Sequence, residues 1–325
     1  MRSLVTGANG FIGRLLSSAL LARGDEVVAL TRQQDVGIPG VQCVQGDLTQ
    51  PLSLTQGLLE GVDVIYHCAG ELNDSDKMYP LHVAGTRNLL NLVHKHIEKT
   101  GLPVHWVQLS SVGAYGPGEG PADQYRSIDE ASLPTPLGVY EVTKTIADEL
   151  VVSLAGLDAR FTFSLLRPSN VVGASMVNRS FFQMASMVRR RLFFYLGKGD
   201  AVATYVHVDD VVRALILCGT LKAAQQQIYL LSNDCPQRDL INAIADFYNV
   251  AHPTLRLPAG LFRWLIAVLP KGATPLTHAR LDALLKRTTY SSSKIHSDLQ
   301  FEFTSSIPDS IAELLGASSN RNSSV

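Results

Sequence analysis

The chain has 325 residues, 46% of them hydrophobic and 18% charged, with 28 Lys and Arg against 29 Asp and Glu. That length exceeds what one core usually organises, so a larger domain with a smaller one appended is expected, and the composition excludes a disordered or fibrous chain. Balanced charge with no basic half leaves no electrostatic footprint for nucleic acid, and the scattered Cys43, Cys68, Cys218 and Cys235, with no C-x-x-C pair, fit neither a disulfide framework nor a zinc site.

A small-molecule substrate is therefore the expected partner. The first residues already read as a strand, which leaves no room for a cleavable leader and makes the cytoplasm the expected location. From residue 1 to about 165, apolar runs suited to strands (3–6, 27–30, 41–44, 64–67, 104–109 and 161–166) alternate with amphipathic segments of helix length (12–23, 52–60, 79–100 and 140–154). That rhythm predicts an α/β fold, a doubly wound, mostly parallel Rossmann-type sheet. After Arg167 the regularity breaks: a helix over 180–191, a turn at Gly197-Lys198-Gly199, a strand over 202–208, a helix over 211–219 and a strand over 227–231, so that the chain rejoins the sheet.

From Gln237 the pattern is mainly helical, with a proline-rich break over 253–258. The apolar run 261–269 is interrupted by Arg263 and stopped by Pro270. It falls far short of the roughly 20 residues a bilayer requires, so a packed helix without stable membrane insertion is expected. The division that follows is a dinucleotide-binding domain over 1–167 plus about 201–235, a smaller, mainly helical C-terminal substrate domain over about 168–200 plus 236–317, and a Ser- and Asn-rich tail over 318–325, expected to be disordered.

Thr6-Gly7-Ala8-Asn9-Gly10-Phe11-Ile12-Gly13 joins the first strand to the first helix. A sharp turn needs backbone freedom at Gly7, close approach of a pyrophosphate leaves no room for a side chain at Gly10, and helix–sheet packing calls for Gly13. Gly7, Asn9, Gly10, Phe11, Ile12 and Gly13 are thus the expected cradle of a dinucleotide, its phosphates on free N–H groups at the helix start. The second strand ends Leu30-Thr31-Arg32 without the carboxylate that holds the ribose of NAD. An Arg32 guanidinium suits a 2′-phosphate, which favours NADP over NAD; the alternative is that Arg32 stacks on adenine or faces water.

Tyr140-Glu141-Val142-Thr143-Lys144 places a phenol and an ammonium one helical turn apart. The expected consequence is a phenol with a lowered pKa, able to give and take a proton. Ser111 follows the strand over 104–109, at the carboxyl edge where open α/β sheets bind ligands, and its hydroxyl is suited to hold a carbonyl oxygen.

With these residues the chain resembles the extended short-chain dehydrogenase/reductase family, in particular its NAD-dependent epimerase/dehydratase group acting on nucleotide sugars. The likeness runs from the glycine turn through Gly46-Asp47-Leu48, His67-Cys68-Ala69-Gly70, Gly85-Thr86, Ser110-Ser111-Val112-Gly113-Ala114-Tyr115-Gly116, Tyr140 to Lys144, Leu166-Arg167-Pro168-Ser169-Asn170-Val171-Val172-Gly173 and Val206-His207-Val208-Asp209-Asp210-Val211. The resemblance implies that Asp47 and Leu48 flank the adenine and that Cys68, Ala69 and Gly70 lie under the cofactor. It implies Ser111, Tyr140 and Lys144 as the catalytic set, Lys144 also holding the nicotinamide ribose, with Pro168 and Val171 beside the nicotinamide and Asn170 on the substrate. A homodimer through the helices over 79–100 and 140–154 is implied as well.

Three departures qualify it. Gly113 and Ala114 stand where family dehydratases carry an Asp and Glu pair, which disfavours a 4,6-dehydratase. Ala203-Thr204 replaces the Arg-Asp that grips a nucleotide diphosphate, a role open to Arg189, Arg190, Arg191 or Arg280, with Arg191 taken as the substrate contact. His82 replaces an Asn near the active Tyr, on the cofactor side; a proton relay is one reading of it, and a satisfied structural histidine is the simpler expectation. His207 with Asp209 and Asp210 could suggest a metal, but Asp209 as a helix cap is the simpler expectation, so no metal is assigned. The leading expectation is an NAD(P)-dependent oxidoreductase or epimerase of a nucleotide-linked sugar. The alternative is an NADP-dependent reductase of a keto-sugar or a hydrophobic, sterol-like ketone, and a third reading is an NADP-sensing regulator without turnover.

Overall fold

The computed structural model describes residues 1–118, 120–121, 124–176, 179–197, 201–262 and 285–319. Seven strands form the central sheet in the order Gln227–Leu231, Phe161–Pro168, Val104–Leu109, Val64–His67, Arg2–Thr6, Glu26–Thr31, Gln42–Gln45, and every neighbouring pair is parallel. A parallel sheet must bury both faces, which is why these strands read as near-continuous apolar runs. Alternate residues feed opposite layers. Val5 and Tyr66 pack with Leu16, Leu20 and Leu215 on one face, while Leu4 and Ile65 pack with Leu89, Val93, Trp106 and Val151 on the other. The direction of winding reverses between Arg2–Thr6 and Val64–His67, so the ligand crevice of the sheet opens there, at the carboxyl ends of the strands.

Seven of the eight expected sheet strands form in the sheet, and three expected elements do not form as read. Residues 52–60 make two short 3₁₀ turns, Pro51–Ser53 and Gln56–Leu59, because Pro51 and Gly57 leave too little uninterrupted helix-forming sequence. Residues 79–100 begin with a π-helical stretch, Tyr79–Gly85, before the α-helix Thr86–Thr100; Pro80, without an N–H, sits in its first turn. Residues 202–208 do not rejoin the sheet. Val202–Ala203 pairs antiparallel with Cys235–Pro236 and Tyr205–His207 pairs parallel with Asn170–Val172, so the return is made by Gln227–Leu231 alone.

The next helix, Val208–Thr220, starts earlier than expected, and its cap is the His207 side chain rather than Asp209: the Asp209 N–H donates to His207 Nδ1 at 3.3 Å. The helices Arg179–Arg189, Gln237–Phe247 and Ile311–Ser319 bury a separate cluster with Phe181, Val188, Ile241, Ile244 and Leu314 at its centre. Ile311–Ser319 runs two residues into the tail expected to be disordered. Lys198 and Gly199 of the expected turn, the apolar run beyond residue 262, Arg280 and the rest of the tail lie outside the described residues. No described helix is long and apolar enough to cross a membrane. One pairing had no signal in the sequence: Tyr125–Ile128 lies parallel to Arg287–Tyr290, joining segments far apart in the chain.

Candidate active site

The glycine turn is built by exclusion. Gly7 adopts φ +69°, and a Cβ there would fall 2.8 Å from the Cys68 and Ala69 backbone. A Cβ on Gly13 would fall 2.2 Å from the Gly7 carbonyl oxygen, so helix and turn approach as closely as only glycine allows. Gly10 is exposed and precedes Phe11–Ala22 with no side-chain cap, which leaves the first-turn N–H groups to an incoming anion. Asn9 stands beside them, its amide donating to Thr31 Oγ1 at 3.1 Å and Gln33 Oε1 at 3.0 Å. Phe11 and Ile12 are half-buried. The Ala69 N–H donates to Thr6 Oγ1 at 3.2 Å, tying the end of Val64–His67 to the same turn. These residues fit a dinucleotide diphosphate.

The outer cofactor residues divide. Arg32 is exposed at the strand tip, and its charge is felt by Lys77. Asp47 spends Oδ1 on the Thr49 N–H and hydroxyl, both at 2.8 Å, and so shapes its loop. Leu48 is buried, its carbonyl held by Asn88 Nδ2 at 2.8 Å. Pro168 is buried at a strand end, and half-buried Val171 pairs with Val206. Burial pushes the Cys68 thiol up to about 12 against the pull of Lys144, so it stays protonated and inert.

His82 does not reach toward a ligand. It is 1% exposed, accepts the Glu71 N–H on Nε2 at 2.8 Å and meets the Thr143 hydroxyl through Nδ1 at 2.8 Å. With both nitrogens used and its pKa lowered by burial to about 4, it is a neutral strut between the loop after Gly70 and the helix Val139–Leu157. Its edge lies against the Tyr140 ring, centroids 5.6 Å apart.

Ser111 and Tyr140 come together, and Lys144 follows Tyr140 by one turn of the helix Val139–Leu157. Ser111 precedes the 3₁₀ turn Val112–Tyr115 and its Oγ accepts the Gly113 N–H at 3.0 Å. Its hydroxyl is close enough to the Tyr140 phenol to lower that group's pKa by hydrogen bonding. The net shift, however, is opposite to the sequence expectation: burial, then the Glu141 and Asp148 carboxylates, push the phenol up to about 12. Lys144 is not among the groups that shift the phenol; burial lowers its own pKa, and its ammonium donates to the Leu109 carbonyl at 2.5 Å.

One turn beyond Lys144, Asp148 forms a buried ionic knot. Arg167 reaches its Oδ2 through Nε at 3.2 Å and Nη2 at 3.1 Å, and the Ser110 hydroxyl donates at 2.7 Å. Arg167 Nη1 also donates to the Tyr115 hydroxyl at 3.0 Å. This knot ties the catalytic helix to the strand Phe161–Pro168. Asp148, at i+4 from Lys144, was visible as a spacing but has no role in the sequence reading.

Ser111 and Tyr140 open onto a cavity of about 930 Å³, whose walls include Glu141, Asn170 and Thr204 and, from the Tyr125–Ile128 and Arg287–Tyr290 pair and its flank, Arg126, Lys286 and Tyr290. Asn170 lines it as expected, although its amide also donates to the Thr204 carbonyl at 3.0 Å. Arg191 does not line it; it lies exposed after Arg179–Arg189 with φ +59°. Arg189 stacks on Tyr248 instead. Arg126 and Lys286 gave no signal in the sequence, since only the distant pairing brings them here.

His207, Asp209 and Glu313 carry ligand atoms within 4.8 Å of one another. His207 Nδ1 accepts the Asp209 N–H, so in its neutral form the ring proton sits on Nε2, facing Glu313 at 3.4 Å. A proton where a metal would need a lone pair makes this a helix cap with a carboxylate partner.

A Rossmann-type sheet with a glycine-lined phosphate turn and a Ser, Tyr, Lys cluster at its carboxyl edge defines a nicotinamide-dinucleotide enzyme. The model of the NAD dependent epimerase/dehydratase family matches residues 3–232, and the chain belongs to that family. Sterol demethylase protein B of Methylococcus capsulatus is 30% identical over 81% of this chain and 79% of its own. The 2-alkyl-3-oxoalkanoate reductase of Stenotrophomonas maltophilia is 28% identical over 75% of this chain and 74% of its own. Among solved structures, the UDP-glucose 4-epimerase of Thermotoga maritima superposes with a TM-score of 0.74, at 17% identity, over 99% of this chain and 100% of that one, a likeness of fold.

Proposed function

We propose that the protein is an NAD(P)-dependent dehydrogenase or reductase that interconverts a secondary alcohol and a ketone on a largely apolar substrate. The observation that carries this reading is the way the cavity spends its guanidinium: Arg126 gives its two Nη groups to the Tyr115 and Gly116 carbonyls, both at 2.9 Å, and Thr204 stands where a diphosphate clamp belongs. Among the described residues that line the cavity, no second arginine joins Arg126 to complete a diphosphate grip. The sterol and the alkyl-chain oxoalkanoate in the names of the two relatives above, neither of them a nucleotide sugar, support the same choice.

Ser111 and Tyr140 hold the substrate oxygen. At neutral pH a phenol raised to about 12 is protonated, so its resting form is an acid, ready to give its proton to a ketone oxygen as negative charge develops there. Lys144 donates to the Leu109 carbonyl from one helical turn beyond Tyr140, and burial lowers its pKa. The dinucleotide, when bound, supplies the two electrons or accepts them. Exposed Arg32 at the strand tip supports NADP as that partner, and exposed Val152 and Leu157 on the helix Val139–Leu157 support a homodimer.

The test is a panel of aliphatic and sterol alcohols and ketones beside UDP-glucose, with nicotinamide absorbance and products followed together. Net, stoichiometric cofactor conversion with the apolar compounds is expected. Epimerisation of UDP-glucose with no net absorbance change would overturn the reading.

A further inference from the structure

The cavity beside Ser111 and Tyr140 carries three charged side chains, each differently employed. Arg126 is spent on backbone carbonyls. Glu141 occupies a slot left by two glycines: a Cβ on Gly113 would fall 2.8 Å from its Cγ, and one on Gly138 would fall 2.0 Å from its Oε2. Lys286 stands on another wall, half-buried, its Nζ donating to the Tyr290 hydroxyl at 2.8 Å and lying 5.1 Å from that ring's centroid. A phenol and an aromatic face orient an ammonium without neutralising it. Asp234 is near enough to feel the charge but makes no ion pair with Lys286; its carboxylate is held by the Ser232 hydroxyl and by the Tyr290 N–H at 2.6 Å.

We propose that Lys286 is the anion-binding end of the substrate cavity and that the substrate carries a carboxylate, seated on Lys286 while its hydroxyl or carbonyl meets Ser111 and Tyr140. This rests on the alcohol–ketone reading above. Tyr290, 5% exposed, preorganises the ammonium, so little is lost in ordering it when an anion arrives. Glu141 enforces the orientation by repelling an anion from the Tyr140 end, so the two charges admit the substrate one way round. Among the described residues Lys286 pairs with no carboxylate, which matches a single carboxylate on the substrate; a diphosphate, with its greater charge, calls for more cationic groups than the Arg126 and Lys286 that line this cavity.

The experiment compares oxidation of 3-hydroxydodecanoate and of its methyl ester with NADP⁺ by the full-length protein. Wild type is expected to prefer the acid by about tenfold or more in kcat/KM, the worth of one hydrogen bond to a charged group. Lys286→Met should erase the preference by raising KM for the acid while kcat holds within a few-fold, and Lys286→Arg should restore most of it. Thermal unfolding of the Met variant at the wild-type temperature shows that the loss is not one of folding. Equal kcat/KM for acid and ester in wild type leaves the alcohol–ketone reading standing and overturns the Lys286 assignment alone. UDP inhibition that disappears in Lys286→Met, without any acid preference, overturns it in favour of a diphosphate. Oxidation of neither compound by a protein that binds NADP⁺ removes the substrate reading, and the assignment falls with it.

Discussion

The two sides of the active site are built from different material. The cofactor side is backbone: Gly7 and Gly13 matter because nothing larger fits, and the donors offered to phosphate are main-chain N–H groups. The substrate side is side chain, with Arg126, Glu141, Lys286 and Tyr290 drawn from segments that meet only in the folded molecule. A backbone device tolerates almost no substitution and binds one kind of ligand. A side-chain wall can be exchanged residue by residue, so one family can serve many substrates on a single cofactor cradle.

The contrast predicts separable failures. The largest is chemical: Tyr140→Phe should lower kcat by about 10²–10⁴-fold, the usual worth of a positioned acid–base group, with cofactor affinity unchanged within a few-fold. A variant with full activity removes Tyr140 from the chemistry. In the wild type, a phenol that stays protonated up to about 12 predicts ketone reduction insensitive to pH through the neutral range. Alcohol oxidation, which needs the phenolate, should rise about tenfold per pH unit there. Parallel profiles in the two directions would contradict the protonated resting state.

Next comes the cradle. Gly13→Ala should cost about 1–3 kcal/mol of stability from the forced contact with the Gly7 carbonyl, read by denaturant unfolding, and weaken dinucleotide binding in the same variant. A stable protein with normal cofactor affinity would mean that the turn yields easily. The smallest effect is expected at the rim: Arg32→Ala should weaken NADP about tenfold, or ~1.4 kcal/mol, and leave NAD nearly unchanged. Equal losses for both cofactors would cancel the preference.

The legibility of the site in the sequence follows the same line. The glycine turn, the seven strands of the sheet and the meeting of Ser111 with Tyr140 were readable because each is fixed by short-range spacing or by burial of both sheet faces. The phenol's pKa direction was not, since it depends on where Lys144 reaches and on burial, and the lysine turns to Leu109. The return of residues 202–208 to the sheet was misjudged because a short apolar run looks the same wherever it pairs. Arg191 was chosen from charge alone, without a register to place it.

The parallel pairing of Tyr125–Ile128 with Arg287–Tyr290 sets an order of assembly. During synthesis the glycine turn, the catalytic tyrosine and the strands on either side of them leave the ribosome long before residue 287, and loop closure across such a separation is slow. The nascent chain is thus equipped to capture its coenzyme while the chamber for the other reactant still lacks a wall, and bound dinucleotide can serve as a template that steadies the sheet until the last partner strand arrives.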